Sequence, residues 1–242
     1  MSSQETAYQT FQSHFANNPY PGRGLIIGHS QVEESWHQVY FIMGRSEHSR
    51  NRRFVVEGST LRTEPVDASK VEDPSLIIYE AMFELDGQFI VSNGDQTKTL
   101  YEGLNEGNRF DEALSTRERE PDAPNYTPRI TGMLEIDAAG ERISLNILKG
   151  NRINPENTDR FFYYPHLPVS GLGYGLTTYL GDGNPLPSFA GDPLVLPLQG
   201  TAEDILEFYW EALDADNRIS IAVKTISESG AKSEIILRNK YE

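Results

Sequence analysis

The sequence predicts an α+β fold in which two β-sheets pack together and helices lie outside them. Short apolar segments recur along the 242 residues, and most neighbouring segments are separated by tight turns, as in β-hairpins. The few segments with helical periodicity interrupt these strands in a simple order: strands, a helix, more strands, a helix, then strands. Because hairpins dominate, we expect the sheets to be largely antiparallel.

The first half of the chain contains a short N-terminal helix and three predicted pairs of strands. The helix covers residues 4–16 and ends at Asn17-Asn18-Pro19, since proline cannot continue it. A Gly-Ser turn joins the second pair, and Asp86-Gly87 supplies the turn of the third. The predicted strands are 24–28 with 36–44, 54–58 with 60–66, and 75–85 with 88–93.

The second half contains two predicted helices and the remaining strands. The segment from Thr97 to about Arg119 has helical spacing of its leucines, and residues 201–214 form a stronger helix with Thr201 as N-cap. The Pro- and Gly-rich stretch 181–200 is predicted to be an ordered loop over the core, because it retains Leu, Val and Phe. The predicted strands are 129–137, 141–150, 160–165, 174–181, 218–227 and 233–239.

Length and composition favour one domain over residues 1–242, because the chain shows no internal repeat and no break that would mark a linker. The absence of cysteine excludes a disulfide framework, a thiolate zinc site and a cysteine nucleophile. The first residues lack the features of a secretory signal, and no apolar stretch approaches the ~20 residues that cross a bilayer. We therefore expect a cytoplasmic protein without a membrane partner.

The charge distribution bears on the ligand. A formal net charge of −15 argues against binding nucleic acid, which requires a basic face. A small phosphorylated ligand needs only two or three arginines and backbone N–H groups. Between Arg45 and Arg62 the chain has five arginines and two acids, which is the strongest electrostatic anomaly of the sequence. A solvated basic loop is the alternative explanation.

Several signatures of known chemistry are missing. The sequence has no Walker loop, no G-x-S-x-G and no H-E-x-x-H motif. Gly171 to Gly175, GLGYG, match only part of a dinucleotide-binding motif, since the third glycine and the following helix are absent. The five histidines, at 14, 29, 37, 48 and 166, lack metal-ligand spacing, so no metal site is predicted.

Four short segments stand out, although a turn or a solvated loop would explain each one alone. They are Tyr20-Pro21-Gly22-Arg23-Gly24, Arg45-Ser46 with Ser49-Arg50-Asn51-Arg52-Arg53, Ser92-Asn93-Gly94-Asp95, and Pro124-Asn125-Tyr126-Thr127-Pro128-Arg129. Taken together and in this order, they resemble the archaeal-type IMP cyclohydrolases. That family shows Tyr-x-Gly-Arg before its first strand, then Arg-Ser with a nearby Asn-Arg, Asn-Gly after a strand, and Thr-Pro-Arg leading into another.

The sequence also departs from that family pattern. Four residues separate Arg45-Ser46 from Asn51-Arg52, the pair before Thr127 is Asn-Tyr rather than Tyr-Asn, and residues 1–19 form an N-terminal extension. The resemblance implies the four-layer αββα fold of the N-terminal-nucleophile hydrolases. It does not extend to their chemistry, because Pro21-Gly22-Arg23 offers no nucleophile before the first strand.

The resemblance implies an enzyme of purine biosynthesis that needs no metal or cofactor. Its reaction would close the ring of 5-formamidoimidazole-4-carboxamide ribotide, with loss of water, to give IMP. Such a site needs a hydrogen-bond acceptor or base, a cationic or N–H donor, and a proton source for the departing water. The partner is a small purine ribotide, and the family resemblance suggests a homo-oligomer.

The matched positions take their roles from the resemblance. Tyr79 is the expected proton donor, and Glu120 the expected acceptor for the carboxamide, with Asp122 as its rival. Arg45 and Arg52 would bind the phosphate or polarise the base's substituents, and Arg45 is also a candidate catalytic residue. The other expected substrate contacts are Arg23, Asn93, Gly94, Asn125, Thr127 and Arg129.

Three alternatives remain open at this stage. The chain could be an amidohydrolase that retains an N-terminal nucleophile, although the sequence offers no suitable residue at the first strand. It could instead be a purine-nucleotide-binding module without turnover, which the unusual spacing between Arg45 and Arg52 favours. An α+β domain of unrelated function is the third interpretation.

Overall fold

The computed structural model describes residues 2–71 and 78–241. Its helical elements are α1 (Ser3–Phe11), a π-helical turn (Gln12–Ala16), α2 (Glu47–Arg50), a 3₁₀ turn (Ala68–Lys70), α3 (Gln96–Asn105), α4 (Phe110–Leu114) and α5 (Ala202–Ala212). Its strands are β1 (Gly24–His29), β2 (Ser35–Met43), β3 (Arg53–Glu57), β4 (Thr60–Glu64), β5 (Glu80–Leu85), β6 (Gln88–Ser92), β7 (Arg129–Asp137), β8 (Gly140–Gly150), β9 (Thr158–Tyr163), β10 (Leu172–Thr177), β11 (Leu194–Pro197), β12 (Arg218–Ser227) and β13 (Ser233–Asn239).

The strands form two sheets in which every described pairing is antiparallel. The six-stranded sheet has the order β11-β10-β1-β2-β12-β13, and the seven-stranded sheet runs in sequence order from β3 to β9. The predicted α+β class with two largely antiparallel sheets is therefore confirmed. The predicted hairpin pairs are also present, with β1 against β2, β5 against β6 and β12 against β13.

Successive side chains of a strand point to opposite faces of the sheet. One face therefore packs in the core between the two sheets, and the other packs against the helices. On β2, the Tyr40 ring stacks on Phe54 of the other sheet at 5.4 Å between ring centroids. The next residue, Phe41, instead meets Phe15 of the N-terminal helical segment at 5.6 Å. On β6, Phe89 likewise belongs to the core between the sheets, whereas Ile90 packs in a separate cluster with residues of α3 and α4.

Two sequence predictions of helix and strand bounds need correction. The helix predicted from Thr97 to about Arg119 is two helices, because Gly107 adopts a φ of +86° and ends the first one. Residues 115–119 then run into the site loop without helical structure. The strand predicted at 75–85 begins at Glu80 in the described part of the chain, and its first residues, 75–77, lie outside the described residues.

The stretch 181–200 is also not only a loop, because it contains the short strand β11. Prolines at 193 and 197 hide this strand in the sequence, since proline cannot donate a hydrogen bond within a ladder. Proline is tolerated here because β11 lies at the edge of the six-stranded sheet and pairs only with β10. Helix α1 packs over this edge, and its Phe11 stacks on Phe208 at 4.3 Å between ring centroids.

The register of the strands gathers the predicted site residues at one end of the two sheets. Gly24 pairs with both Phe41 and Thr177, so the start of β1 lies beside the ends of β2 and β10. In the other sheet, Ser92 at the end of β6 pairs with Thr131 near the start of β7. Among the described residues, no helix is both long enough and apolar enough to span a membrane.

Candidate active site

A cavity of about 350 Å³ opens at this end of the sheets. Six of the predicted site residues lie on its wall: Arg23, Arg45, Arg52, Glu120, Asn125 and Thr127. Asp122, the rival of Glu120, lies there as well. The remaining wall residues are Tyr20, Gly22, Met43, Ser46, His48, Ser49, Tyr179 and Leu186. Its volume is within the range of small-molecule sites.

The centre of the wall is a buried ion pair between Arg23 and Glu120. Arg23 Nη1 lies 2.9 Å from Glu120 Oε1, and each side chain is only 9% exposed. The same Nη1 donates a hydrogen bond to the main-chain carbonyl of Asn93 at 3.1 Å. Burial alone would lower the pKa of Arg23, but the Glu120 carboxylate and nearby phenols outweigh it and raise that pKa well above its ordinary value. Arg23 is therefore a fixed cation.

The turn before β1 fixes where the Arg23 side chain points. Gly22 adopts a φ of +80°, which side chains rarely allow. A Cβ atom at this position would lie 2.3 Å from Thr178 Oγ1 and 2.5 Å from the ring of Tyr179. The turn is therefore pressed directly against the end of β10, and the Arg23 N–H donates to Thr178 Oγ1 at 3.0 Å.

The loop that carries Glu120 is closed by its own hydrogen bonds. The Glu120 N–H donates to the Thr127 carbonyl at 3.0 Å. Asp122 Oδ1 accepts the Thr127 N–H at 2.7 Å, and its other oxygen accepts the Thr127 hydroxyl. The two acids thus have different surroundings. Both oxygens of Asp122 bond within the loop, whereas Glu120 directs its carboxylate to Arg23.

Arg45 and Arg52 lie on the side of the cavity that is formed by residues following β2 in the chain. The Arg45 guanidinium lies over the Tyr20 ring at 4.9 Å and forms an ion pair with Asp182. Arg52 is buried, and it donates from Nε to the Ser49 carbonyl at 2.9 Å and from Nη2 to the Met43 carbonyl at 3.3 Å. Both guanidiniums reach one cavity, although six residues lie between them in the sequence. A phosphate is the kind of group that two such arginines would bind.

Residues 20–230 contain these arginines, the buried carboxylate of Glu120 and the loop that carries Glu120. That range matches the sequence profile of the family described as IMP cyclohydrolase-like protein. The chain belongs to the IMP cyclohydrolase-like family. No curated protein matches the chain. The family match supports IMP cyclohydrolase function and implies a small nucleotide as the substrate.

In this member of the IMP cyclohydrolase-like family, four predicted site residues lie behind the wall rather than on it. Tyr79 is buried, and its hydroxyl lies 2.7 Å from that of Tyr40. The Asn93 side chain bonds to the main chain of Pro128 and Ile130. Gly94 faces Arg129, whose guanidinium donates to the side chains of Asp95 and Gln96. These residues therefore adjoin the site without lining the cavity: Tyr79 and Asn93 lie near Arg23, and Arg129 lies near Glu120.

Tyr179 is the wall residue that sequence reasoning missed. Its ring stacks on Tyr20 at 5.9 Å, and its hydroxyl lies 2.6 Å from Thr127 Oγ1. Burial raises the pKa of Tyr179 to about 12, against the opposing charge of Arg23, so the phenol stays protonated near neutral pH. A tyrosine just after a strand gives no local signal, and only the pairing of β10 with β1 identifies it.

His48, Ser46, Ser49 and Leu186 are further wall residues that received no role from the sequence. Ser46 caps the short helix α2 by accepting the Ser49 N–H at 3.1 Å. The Leu186 N–H donates to Asn125 Oδ1 at 3.1 Å, so Asn125 holds the main chain of Leu186 in place at the cavity wall. The Arg-Ser pair of the second segment was the available signal for Ser46.

Two other cavities are larger, at about 550 and 780 Å³, but neither gathers a comparable set of groups. Both arginines of the first form ion pairs with neighbouring acids, Arg109 with Asp111 and Arg142 with Glu135. The second is lined by five glutamates and one lysine, and this excess of negative charge would repel a phosphate. Within residues 2–71 and 78–241, no group of three or more potential ligands could hold a metal ion.

Proposed function

We propose that this chain is an IMP cyclohydrolase that converts 5-formamidoimidazole-4-carboxamide ribotide to IMP with loss of water. The proposal rests on one observation above all: the buried Arg23–Glu120 pair faces a cavity that also holds two further arginines. The fold proposed with it is the four-layer αββα sandwich of the N-terminal-nucleophile hydrolases. Its support is that α1 and α5 pack against one sheet, and α3 and α4 against the other.

The reaction joins two groups of one molecule, so orientation supplies much of the acceleration. The carboxamide nitrogen attacks the formyl carbon, so that a C–N bond forms and the bond from this carbon to the formyl oxygen breaks. In the balanced reaction the oxygen leaves as water with one proton from the carboxamide nitrogen and one from the formamido nitrogen. In the proposed roles, Glu120 accepts a hydrogen bond from the carboxamide N–H and orients the nitrogen lone pair. Arg23 forms the ion pair with Glu120 and donates to oxygen as negative charge develops on it.

The proton for the departing water has two candidate donors, Tyr79 and Tyr179. Tyr79, the donor that the sequence predicts, is buried against Tyr40, whereas Tyr179 lies on the cavity wall. Loss of a positioned general acid typically costs 10²–10⁴-fold in rate. We expect Tyr179→Phe to lower kcat by roughly 100-fold or more, because its phenol lies on the cavity wall. Tyr79→Phe should cost about tenfold, through a disturbed Arg23.

The kinetic comparison is made with both purified variants at one saturating concentration of the formamido ribotide. The reverse order of effects would return the donor role to Tyr79. If both variants keep wild-type kcat, neither phenol supplies the proton.

A second prediction concerns the phosphate. Loss of a charge-assisted contact typically costs ~1.5–3 kcal/mol, which corresponds to at least tenfold in affinity. Arg45→Ala and Arg52→Ala should therefore raise the Kd of IMP at least tenfold while the Kd of inosine, which lacks the phosphate, changes little. Arg50→Ala is a matched control, because its guanidinium bonds to Gly44 and Asn217 and does not line the cavity. Equal losses for IMP and inosine would overturn the phosphate assignment.

The test of the function itself is ultraviolet-monitored turnover of the formamido ribotide by purified protein treated with a chelator. IMP formed faster than in a protein-free control supports the proposal. A folded protein that binds IMP without turnover would instead be a nucleotide-binding module. An N-terminal-nucleophile amidohydrolase would show a shortened chain in intact-mass analysis, with a serine or threonine at its start.

A further inference from the structure

Gln96 is fully buried at the start of α3. Its side chain bonds to Arg129 and to Asn93, and the Asn93 carbonyl accepts a hydrogen bond from Arg23. Gln96 Oε1 accepts a hydrogen bond from Arg129 Nη1 at 2.9 Å. Its Nε2 donates to Asn93 Oδ1 at 2.9 Å and to the Ile130 carbonyl at 3.2 Å. Gln96 does not line the cavity, and the four sequence segments that predicted the site do not include it.

The donor and acceptor chemistry gives this connection a direction. Arginine has donors only, so the Gln96 oxygen must face Arg129 and its NH₂ group must face Asn93. Asn93 Oδ1 then accepts from Gln96 and from the Ile130 N–H at 2.8 Å. The Asn93 NH₂ group is left to donate to the Pro128 carbonyl at 2.9 Å. Arg129 and the Ile130 carbonyl therefore fix the orientation of the Gln96 amide, and the Ile130 N–H and the Pro128 carbonyl fix that of the Asn93 amide.

The hydrogen bonds of Gln96 and Asn93 lead to the ion pair between Arg23 and Glu120. The main-chain carbonyl of Asn93 accepts the hydrogen bond from Arg23 Nη1, and that same nitrogen contacts Glu120. Glu120 also lies in the field of Arg129: burial lowers the pKa of Arg129, and the negative charges of Glu120 and Asp95 oppose that shift. Gly94 permits the arrangement, since a Cβ there would lie 2.5 Å from Arg129 Nη1 and 2.7 Å from Gln96 Oε1.

We propose that Gln96 is a positioning residue that holds Arg23 and Arg129 in fixed places around Glu120. This inference rests on the proposed cyclohydrolase function. Gln96 touches neither the cavity nor the substrate, so it acts only through the two arginines. Position 96 therefore requires a side chain that accepts a hydrogen bond from Arg129 and donates one to Asn93.

Gln96→Glu tests that requirement with almost no change in shape. The new carboxylate still accepts from Arg129, but it has no proton for Asn93 Oδ1, so two acceptors face each other. The turn at Asn93 must then move, and the Asn93 carbonyl that accepts the hydrogen bond from Arg23 moves with it. A displacement of about 1 Å in a catalytic group can cost on the order of 100-fold. We expect a loss of that size in kcat, with KM within about threefold, since the bonds lost are those that orient the transition state.

The pH profile separates positioning from a purely structural role. The added carboxylate in Gln96→Glu lies near the site, and like charges oppose ionisation of a catalytic base. The acid limb of the kcat profile should therefore move to higher pH. Gln96→Met, which removes all three side-chain hydrogen bonds but adds no charge, should lower kcat without moving that limb. A structural role would lower the melting temperature of both variants and leave the profile unchanged.

Gln38→Met is a matched control for the loss of a buried glutamine. Gln38 is also fully buried, and its Nε2 donates to the Phe89 carbonyl at 2.8 Å. It lies five residues before Met43 on β2, roughly 17 Å from the cavity end of the strand. Its kcat and pH profile should match the wild type. Wild-type kcat in both Gln96 variants, or equal losses in the Gln38 and Gln96 variants, would overturn the proposal.

A wild-type protein that fails to turn over the ribotide would overturn the proposed function, not this inference. The positioning role would then be tested by crystal structures of the wild type and Gln96→Glu. We expect the hydrogen bond between Arg23 Nη1 and the Asn93 carbonyl to be broken in the variant. An unchanged bond would exclude Gln96 as the residue that positions Arg23.

Discussion

Replacing Glu120 with glutamine is expected to lower kcat by roughly 10²–10⁴-fold, the usual cost of losing a positioned acid or base. The substitution keeps the shape of the side chain and an oxygen that can accept from Arg23. It removes the negative charge that makes the group an effective acceptor for the carboxamide N–H. Affinity for IMP should change far less, because Arg45 and Arg52 are unaffected. Turnover of the formamido ribotide and the Kd of IMP are the two measurements.

Asp122→Asn is the informative comparison, because it tests the rival acid on the same loop. Both Asp122 oxygens accept hydrogen bonds from Thr127, so this carboxylate holds the loop rather than facing Arg23. An asparagine oxygen can replace one of those bonds, and we expect a loss in kcat of less than about tenfold. A larger loss for Asp122→Asn than for Glu120→Gln would exchange their roles. Assays below the melting transition of each variant keep unfolding out of the comparison.

Much of the fold was predictable, because period-two alternation and turn residues act locally. The hairpin of β12 and β13 and that of β5 and β6 follow directly from such patterns. The sequence failed where tertiary context outweighs the local signal. Strand β11 carries prolines that an edge position tolerates, and the split between α3 and α4 depends on the positive φ of Gly107.

The site was predictable only in part, for a similar reason. Arg23, Arg45 and Glu120 were identified because the resemblance marked them, and they lie on one cavity wall. Tyr179 and Gln96 had no local signal. Tyr179 reaches the wall through the pairing of β10 with β1, and Gln96 reaches Arg129 through the packing of α3 near β7. Such residues become visible only once strand order and register are known.

The second large expected effect is on stability, through the buried pair of Arg23 and Glu120. Removing one partner of a buried ion pair typically costs about 3–5 kcal/mol, because the remaining charge is left without compensation. The two single variants should differ in cost. Glu120 still has Arg129 near it when Arg23 is replaced, whereas Arg23 has Glu120 as its ion-pair partner among the described side chains. Glu120→Met should therefore destabilise the protein more than Arg23→Met.

The double variant completes a thermodynamic cycle measured by the free energy of unfolding in denaturant. With both charges replaced by apolar side chains, no buried charge lacks its partner, and the double variant should be more stable than Glu120→Met alone. Strictly additive losses would mean that the two groups are solvated and independent, which contradicts their 9% exposure. The same double variant should be inactive in turnover. If stability is restored while catalysis is lost, the pair is retained for its chemistry and not for the fold.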